Sequence, residues 1–263
     1  MADTSPFDAT ADGSPVRSVL FLHAHPDDET LATGGTIAAL ASAGVHVTVL
    51  TATRGELGEV VAGPLSLLAD TPALALERER ELTLALSALG VSERHYLGDA
   101  GARAAGLAGT RRYLDSGMEW GPDGFAMAAP DASADSLSLA PLAEVVADVL
   151  ALVRALGPDL IVSYDERGGY GHPDHVRMHD AAVVVAERSR VPLVMVLGEA
   201  EPQGPGVFVR DTTAEQPAVL RALAAHASQL DLVLDTCGVL GIVHSGGQRQ
   251  EIPTVEYFRR YPR

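Results

Sequence analysis

Short apolar runs alternate along this chain with longer segments whose apolar residues recur at helical spacing. Val19 to Leu22 and Val45 to Leu50 are brief and rich in β-branched residues, and between them Leu31 to Ala43 closes at Gly44, a favoured residue just past a helix end. That is one strand–helix–strand unit. Glu77 to Leu89 predicts a second amphipathic helix ending at Gly90, followed by the short run His95 to Leu97. Pro141 opens a third helix with Val145, Val149, Leu152, Val153 and Leu156 on one face, and Gly157 closes it ahead of the buried-type run Leu160 to Tyr164. Pro173 to Glu187 and Pro217 to Gln229 predict further helices, with the strand Leu193 to Leu197 between them. Strands alternating with helices imply an α/β fold: a Rossmann-like, mostly parallel sheet covered by helices on both faces.

Some stretches leave this rhythm. Residues 1–17 are polar and acidic without an apolar stretch, so they read as a flexible lead and as neither a signal nor a transit peptide. Residues 18–263 then form a single α/β domain, with an irregular insertion over about 99–140, rich in Ala, Gly, Asp and Ser, and an appended C-terminal segment over about 231–263. Gly198 to Gly206 is a Pro/Gly loop.

Composition narrows the chemistry. The 263 residues, 47% hydrophobic, can bury one large core, and runs such as Val145 to Leu156 are too short and too interrupted by charge to span a bilayer. Cys237 is the single cysteine, which excludes an intrachain disulfide and a multi-cysteine zinc site and suits a reducing cytoplasm. Any metal must be held by histidine and carboxylate. A net charge of -16 with 19 scattered basic residues argues against a nucleic-acid partner and for a small-molecule one.

The candidate chemistry lies in two clusters. FLHAHPDDETLATGG (Phe21 to Gly35) ends an apolar strand in two histidines, a proline and three consecutive carboxylates. In open parallel sheets, ligands bind outside the carboxyl ends of the strands, which is where this motif falls. His25 and Asp28 can aim an imidazole and a carboxylate at one point. The bland alternative is that Asp27, Asp28 or Thr30 caps the following helix and enjoys its dipole. The second cluster, YDERGGYGHPDHVRMH, follows the strand Leu160 to Tyr164 and sets His172 and His175 three apart at a helix start. Two His-Pro-Asp elements, each at a strand's carboxyl end, favour a shared metal whose charge offsets the clustered acids and which keeps a position open for water.

HAHPDDE and GGYGHPDH resemble the paired signatures of the LmbE/PIG-L-type zinc de-N-acetylases, which remove acyl groups from amino sugars. Within that family the similarity is greatest to the N-acetylglucosaminyl-inositol deacetylases of mycothiol biosynthesis and the mycothiol S-conjugate amidases. RGELGEV, RERELTLALSALGV, YLDSGM and AAHASQ extend it over residues 18 to about 230. The resemblance implies that His25, Asp28 and His175 bind Zn2+, with Fe2+ the alternative, that Asp27 is the general base, and that Tyr170 and His172 attend the reacting carbonyl. It further implies that Asp174 orients His172, and that Arg78 and Asp115 contact an amino sugar. Against the last pair stands a plainer reading, with Arg78 an exposed partner of Glu81 on its helix. Glu29 and His226 carry no assigned role; His23, His46, His95, His179 and His244 read as satisfied core histidines. One departure from the glucosaminyl-inositol enzymes is the short, aromatic-poor segment Val191 to Phe208.

The implied activity is hydrolysis of an N-acyl group, the alternative within the family being an amidase acting on mycothiol-type conjugates. Two histidines and a carboxylate also describe non-haem iron oxygenases, but those are built as a rule on all-β scaffolds. A dinucleotide-binding dehydrogenase would need a glycine-rich turn where this chain has HPDDE. An inactive sugar-binding protein is the non-enzyme alternative.

Overall fold

The computed structural model describes residues 5–10, 13–107, 109–122, 126–130, 132–198, 204, 206–235 and 238–262. The chain runs β1 (Ser18–His23), α1 (Asp28–Ser42), β2 (His46–Thr51), α2 (Pro72–Ala88), β3 (Glu93–Tyr96), β4 (Met118–Trp120) and β5 (Ala126–Ala128). It continues through α3 (Leu142–Leu156), β6 (Leu160–Tyr164), the single turn α4 (Gly168–Gly171), α5 (Pro173–Ser189), β7 (Leu193–Val196), β8 (Val207–Asp211) and α6 (Gln216–Ala225). The C-terminal strands are β9 (Leu230–Asp235), β10 (Gly238–His244), β11 (Arg249–Gln250) and β12 (Val255–Arg260).

The central seven-stranded sheet has the order β3-β2-β1-β6-β7-β12-β8. The first five strands of that order are mutually parallel, whereas β12 runs antiparallel to both β7 and β8. Strands β1 and β6 sit mid-sheet with both faces covered, so Val19, Leu20, Phe21, Ile161 and Val162 are buried without alternation. From β1 the chain moves outward to β2 and β3, then returns to β6 on the other side of β1. With right-handed crossovers this reversal puts α1 and α2 on one face and α3 and α5 on the other. It also opens a crevice between the carboxyl ends of β1 and β6, the place where such sheets bind ligands.

Three helix boundaries differ most from the sequence expectation. Helix α1 starts at Asp28 rather than near Leu31, because the Asp27 carbonyl already accepts from Thr30 and Leu31 N–H, which draws the acids into the first turn. Helix α2 starts at Pro72, whose fixed φ suits a first helical position. Helix α6 stops at Ala225, and His226 to Gln229 form a turn instead of its last residues. The insertion is largely irregular but holds the β4–β5 hairpin. Of the histidines expected in the core, His23 and His179 are buried, while His46 opens β2 exposed, its Nε2 2.6 Å from Glu93.

The C-terminal segment is more integral than an appendage. Strand β12 fills the sheet between β7 and β8, and its buried Glu256 accepts the N–H groups of Gly35 (2.8 Å) and Thr36 (3.1 Å) on α1. Gly35 is required there: a Cβ would stand 2.3 Å from that of Thr212. The lead is anchored too. Phe7, 4% exposed, packs edge-on against Phe258 with ring centroids 4.9 Å apart. Phe7→Ala is therefore expected to cost about 3 kcal/mol, read as a lower urea midpoint at unchanged slope. An unchanged midpoint would return the lead to the flexible state its composition suggests. Cys237 lies outside the described residues.

Candidate metal centre at the carboxyl ends of β1 and β6

After β1 the backbone turns sharply, and Asp27 occupies the position before α1 with φ 115° and ψ −32°, a costly conformation for any residue but glycine. Its side chain makes no capping hydrogen bond, which removes the bland reading for this residue. Instead Asp27 Oδ2 accepts from Arg78 Nη2 at 3.2 Å. Arg78 is buried, not exposed beside Glu81, and also donates to the carbonyls of Pro26 (2.6 Å) and Gly55 (2.8 Å). Burial pushes the Asp27 carboxyl up to about 6 against the opposing pull of Arg78.

Asp28 follows with Oδ2 held by His25 N–H (2.8 Å) and by the Tyr164 hydroxyl (2.7 Å). The same oxygen lies 3.3 Å from His25 Nδ1 and 3.3 Å from His175 Nε2. Ring protons can be assigned from the other nitrogens. His175 Nδ1 meets the Gly168 carbonyl at 3.1 Å and must donate to it, so Nε2 carries a lone pair. That Nε2 is buried without a hydrogen-bond partner. His25 Nε2 faces Asp174 Oδ2 at 3.1 Å and donates to it, which turns Nδ1 toward Asp28. The His175 Nε2 lone pair and the Asp28 carboxylate thus face each other at 3.3 Å with no proton between them, an arrangement that a positive charge makes favourable. The same demand acts on His25: burial opposes its charged form, yet Asp115, Asp174 and Asp28 outweigh burial and hold its pKa well above the usual value.

His172 is different. Its Nδ1 accepts the Asp174 backbone N–H at 3.2 Å, leaving the proton on Nε2, and burial together with His25 and His175 pushes its pKa down to about 2. Among the described residues, His25, His172 and His175 offer ligand atoms within 4.8 Å of one another, as do His25, Asp115 and Asp174. His172 stands beside the centre as a neutral donor, while His25 Nδ1 and His175 Nε2 both face Asp28 Oδ2 at 3.3 Å.

Asp174 corrects one expectation. Its carboxylate does not reach His172, which it meets only through its backbone; it faces His25 and accepts from Ser116 N–H at 2.9 Å. Position 174 sits in the first turn of α5, where the side chain reaches across to the β1 turn. Asp115 is buried with Oδ1 3.7 Å from His25 Nε2 and accepting from Gly117 N–H. Tyr170 is half exposed, its ring centroid 5.3 Å from that of His175 and 6.1 Å from that of Trp120 on the β4–β5 hairpin.

Several contributors escape sequence reasoning. Tyr164 stacks on His175 (4.2 Å, 8°) while tying Asp28 to Ala24 N–H; its only sequence signal is an aromatic hydroxyl at the strand end. Ser116 lies inside YLDSGM, where no local pattern sets it apart from its neighbours. Glu29 and His226 make a fully buried pair at 2.9 Å.

Residues 20–186 match a family model described as PIG-L: GlcNAc-PI de-N-acetylase. Among similar curated proteins is a 1D-myo-inositol 2-acetamido-2-deoxy-alpha-D-glucopyranoside deacetylase of Kineococcus radiotolerans, 38% identical over 92% of this chain and 77% of its own length. Proteins of the same description from Saccharopolyspora erythraea (36% identical, 91% of this chain, 88% of theirs) and Saccharomonospora viridis (34%, 91% and 93%) are also similar. A deacetylase from the teicoplanin biosynthesis pathway aligns with a TM-score of 0.57 at 25% identity, covering 80% of this chain and 84% of that one. The zinc-inhibited form of a teicoplanin deacetylase shares the fold, with a TM-score of 0.60 at 21% identity over 93% and 98% of the two chains.

Proposed function

Because this chain belongs to the PIG-L de-N-acetylase family, we propose that it is a metal-dependent hydrolase that removes the N-acetyl group from an N-acetylglucosaminyl-inositol. The observation that carries the reading is the convergence of His25 Nδ1, His175 Nε2 and Asp28 Oδ2, with Asp27 next to them in the chain. His25, Asp28 and His175 would hold the ion, Zn2+ in the first instance with Fe2+ the alternative. A divalent ion held there would polarise the acyl carbonyl and acidify a water molecule.

The chain's own residues do the rest. Asp27, kept ionisable near neutrality by burial and aimed by Arg78, takes the water's proton and returns it to the departing amine, which leaves only when protonated. His172 presents Nε2–H to the developing oxyanion, and Tyr170 supplies a hydroxyl at the rim. Asp174 fixes the tautomer of His25, and Tyr164 fixes both Asp28 and the plane of His175. Asp115 borders the same space, and with Arg78 is assigned to the sugar side. Arg78 reaches the sugar indirectly, since its donors already hold Pro26, Gly55 and Asp27. Among the described residues no helix is long and apolar enough to cross a membrane. The single cysteine, Cys237, suits a cytoplasmic enzyme acting on a small polar substrate.

Asp115→Ala should retain its metal and lower kcat/KM on N-acetylglucosaminyl-inositol by about tenfold or more, the worth of one buried polar contact to a substrate. Amine release at wild-type kcat/KM would remove Asp115 from the sugar site.

A further inference from the structure

We infer that Glu29 and His226 are a buried positioning pair that locks the Asp27 carboxylate in its working orientation, an inference that rests on Asp27 being the general base. Both side chains are fully buried, and His226 Nε2 lies 2.9 Å from Glu29 Oε1. The Thr30 hydroxyl donates to that same oxygen. The other carboxylate oxygen, Oε2, accepts the backbone N–H of Asp27 at 3.0 Å. Asp27 is the residue that needs holding, because its φ of 115° is one that L side chains rarely adopt. A backbone in that region persists only when its surroundings over-determine it.

The same stretch of chain grips Asp27 from a second direction. Two residues past His226, Ser228 donates its N–H and its hydroxyl to the two oxygens of Glu81, at 2.7 Å each. Glu81 lies one turn beyond Arg78 on α2, and Arg78 holds the Asp27 carboxylate and the Pro26 carbonyl. The turn after α6 therefore controls Asp27 by both its backbone, through Glu29, and its side chain, through α2. These contacts bear on the base and not on the ion. Glu29 and His226 touch neither substrate nor metal; they are positioning residues. Since Thr30 O–H and Asp27 N–H both donate to Glu29, and His226 Nε2 meets it as a third partner, a glutamine there has one oxygen for at least two donors and must release one.

The test is a double-mutant cycle in the full-length, metal-loaded enzyme acting on N-acetylglucosaminyl-inositol, with kcat, KM and metal content measured for each variant. His226→Ala is expected to lower kcat about 10²-fold with KM nearly unchanged and metal fully retained, and to cause no further loss in an Asp27→Asn background, because residues that act as a unit are non-additive. His226→Gln, which keeps a donor toward Glu29, should recover most of the loss. Glu256→Gln serves as control: it loosens a different buried carboxylate from the same helix, so it should lower stability but leave kcat alone. Multiplicative losses from His226→Ala and Asp27→Asn would make the pair merely structural and overturn the inference. So would a loss confined to KM. Should His226→Ala not fold, Glu29→Gln runs the same cycle, and its loss must likewise vanish in the Asp27→Asn background. Asp27→Asn by itself reports on the base: wild-type turnover there would remove the base and the inference together, whereas a large loss there with multiplicative behaviour removes the inference alone.

Discussion

His175→Ala is expected to bind well under one metal ion per chain and to lose roughly 10³-fold or more in kcat, leaving only what base and oxyanion donors contribute without an ion. The reason is geometric. His175 Nδ1 is spent on the Gly168 carbonyl and its ring is pinned flat against Tyr164, so the remaining nitrogen has one direction to face and no hydrogen-bond partner in it. Gly168 has to be a glycine for this approach, since a Cβ there would stand 2.7 Å from that of His175. His23→Ala is the matched control. His23 is equally buried and belongs to the same motif, and its Nδ1 also lacks a hydrogen-bond partner, but its Nε2 is engaged by Thr33 at 3.0 Å and, unlike His175, it has no carboxylate partner among the described residues, so the folded variant should keep its metal. Elemental analysis of both variants, purified without chelator, decides the matter. Full metal retention in His175→Ala would remove this residue from the ligand set.

Asp27→Asn is expected to do the opposite, keeping near-stoichiometric metal while losing roughly 10²-fold to 10⁴-fold in kcat, the usual worth of a general base. Asparagine preserves the size and one acceptor oxygen for Arg78 but cannot accept a proton. Asp28→Asn should instead weaken metal binding, because Asp28 Oδ2 is the oxygen that both imidazoles face. The two adjacent carboxylates diverge because Asp27 sits at positive φ before the helix and Asp28 is the first residue within it. The rising limb of the kcat/KM profile with pH should also vanish in Asp27→Asn, since that limb follows loss of a proton from the base or from its coupled water. Metal loss in Asp27→Asn with metal retained in Asp28→Asn would reverse the two roles.

The parallel half of the fold is legible in the sequence because strands buried on both faces read as unbroken apolar runs and their helices end in glycine, as Leu160 to Tyr164 and Gly157 do. The antiparallel half is not. Strands β8 and β12 are half-buried on the far side of the sheet and mix apolar with charged residues without a regular period, as in VFVRD and VEYFRR, a pattern too short and mixed to separate from a loop. The site is legible where chemistry and position coincide: two His-Pro-Asp elements at strand ends point to a shared ion whatever lies between them. What spacing cannot convey is which neighbour a side chain meets across the fold. Asp174 looks like a partner for His172, two residues away, yet its carboxylate turns to His25. Arg78 looks like a surface residue on a charged helix, RERE, yet it is buried as the clasp on Asp27. Both outcomes are set by the packing of α2 and α5 against the turn after β1, which no local pattern encodes.

Wild-type protein stripped of metal and then supplied with one equivalent of Zn2+ tests the central claim most directly, with primary amine and acetate release from N-acetylglucosaminyl-inositol as the readout. A metal-dependent deacetylase built on His25, Asp28 and His175 should fall, when stripped, to the residual rate expected of His175→Ala, and should regain equimolar release of amine and acetate once one ion is bound per chain. Equal release without metal, or a fully loaded chain that releases neither product, would contradict it.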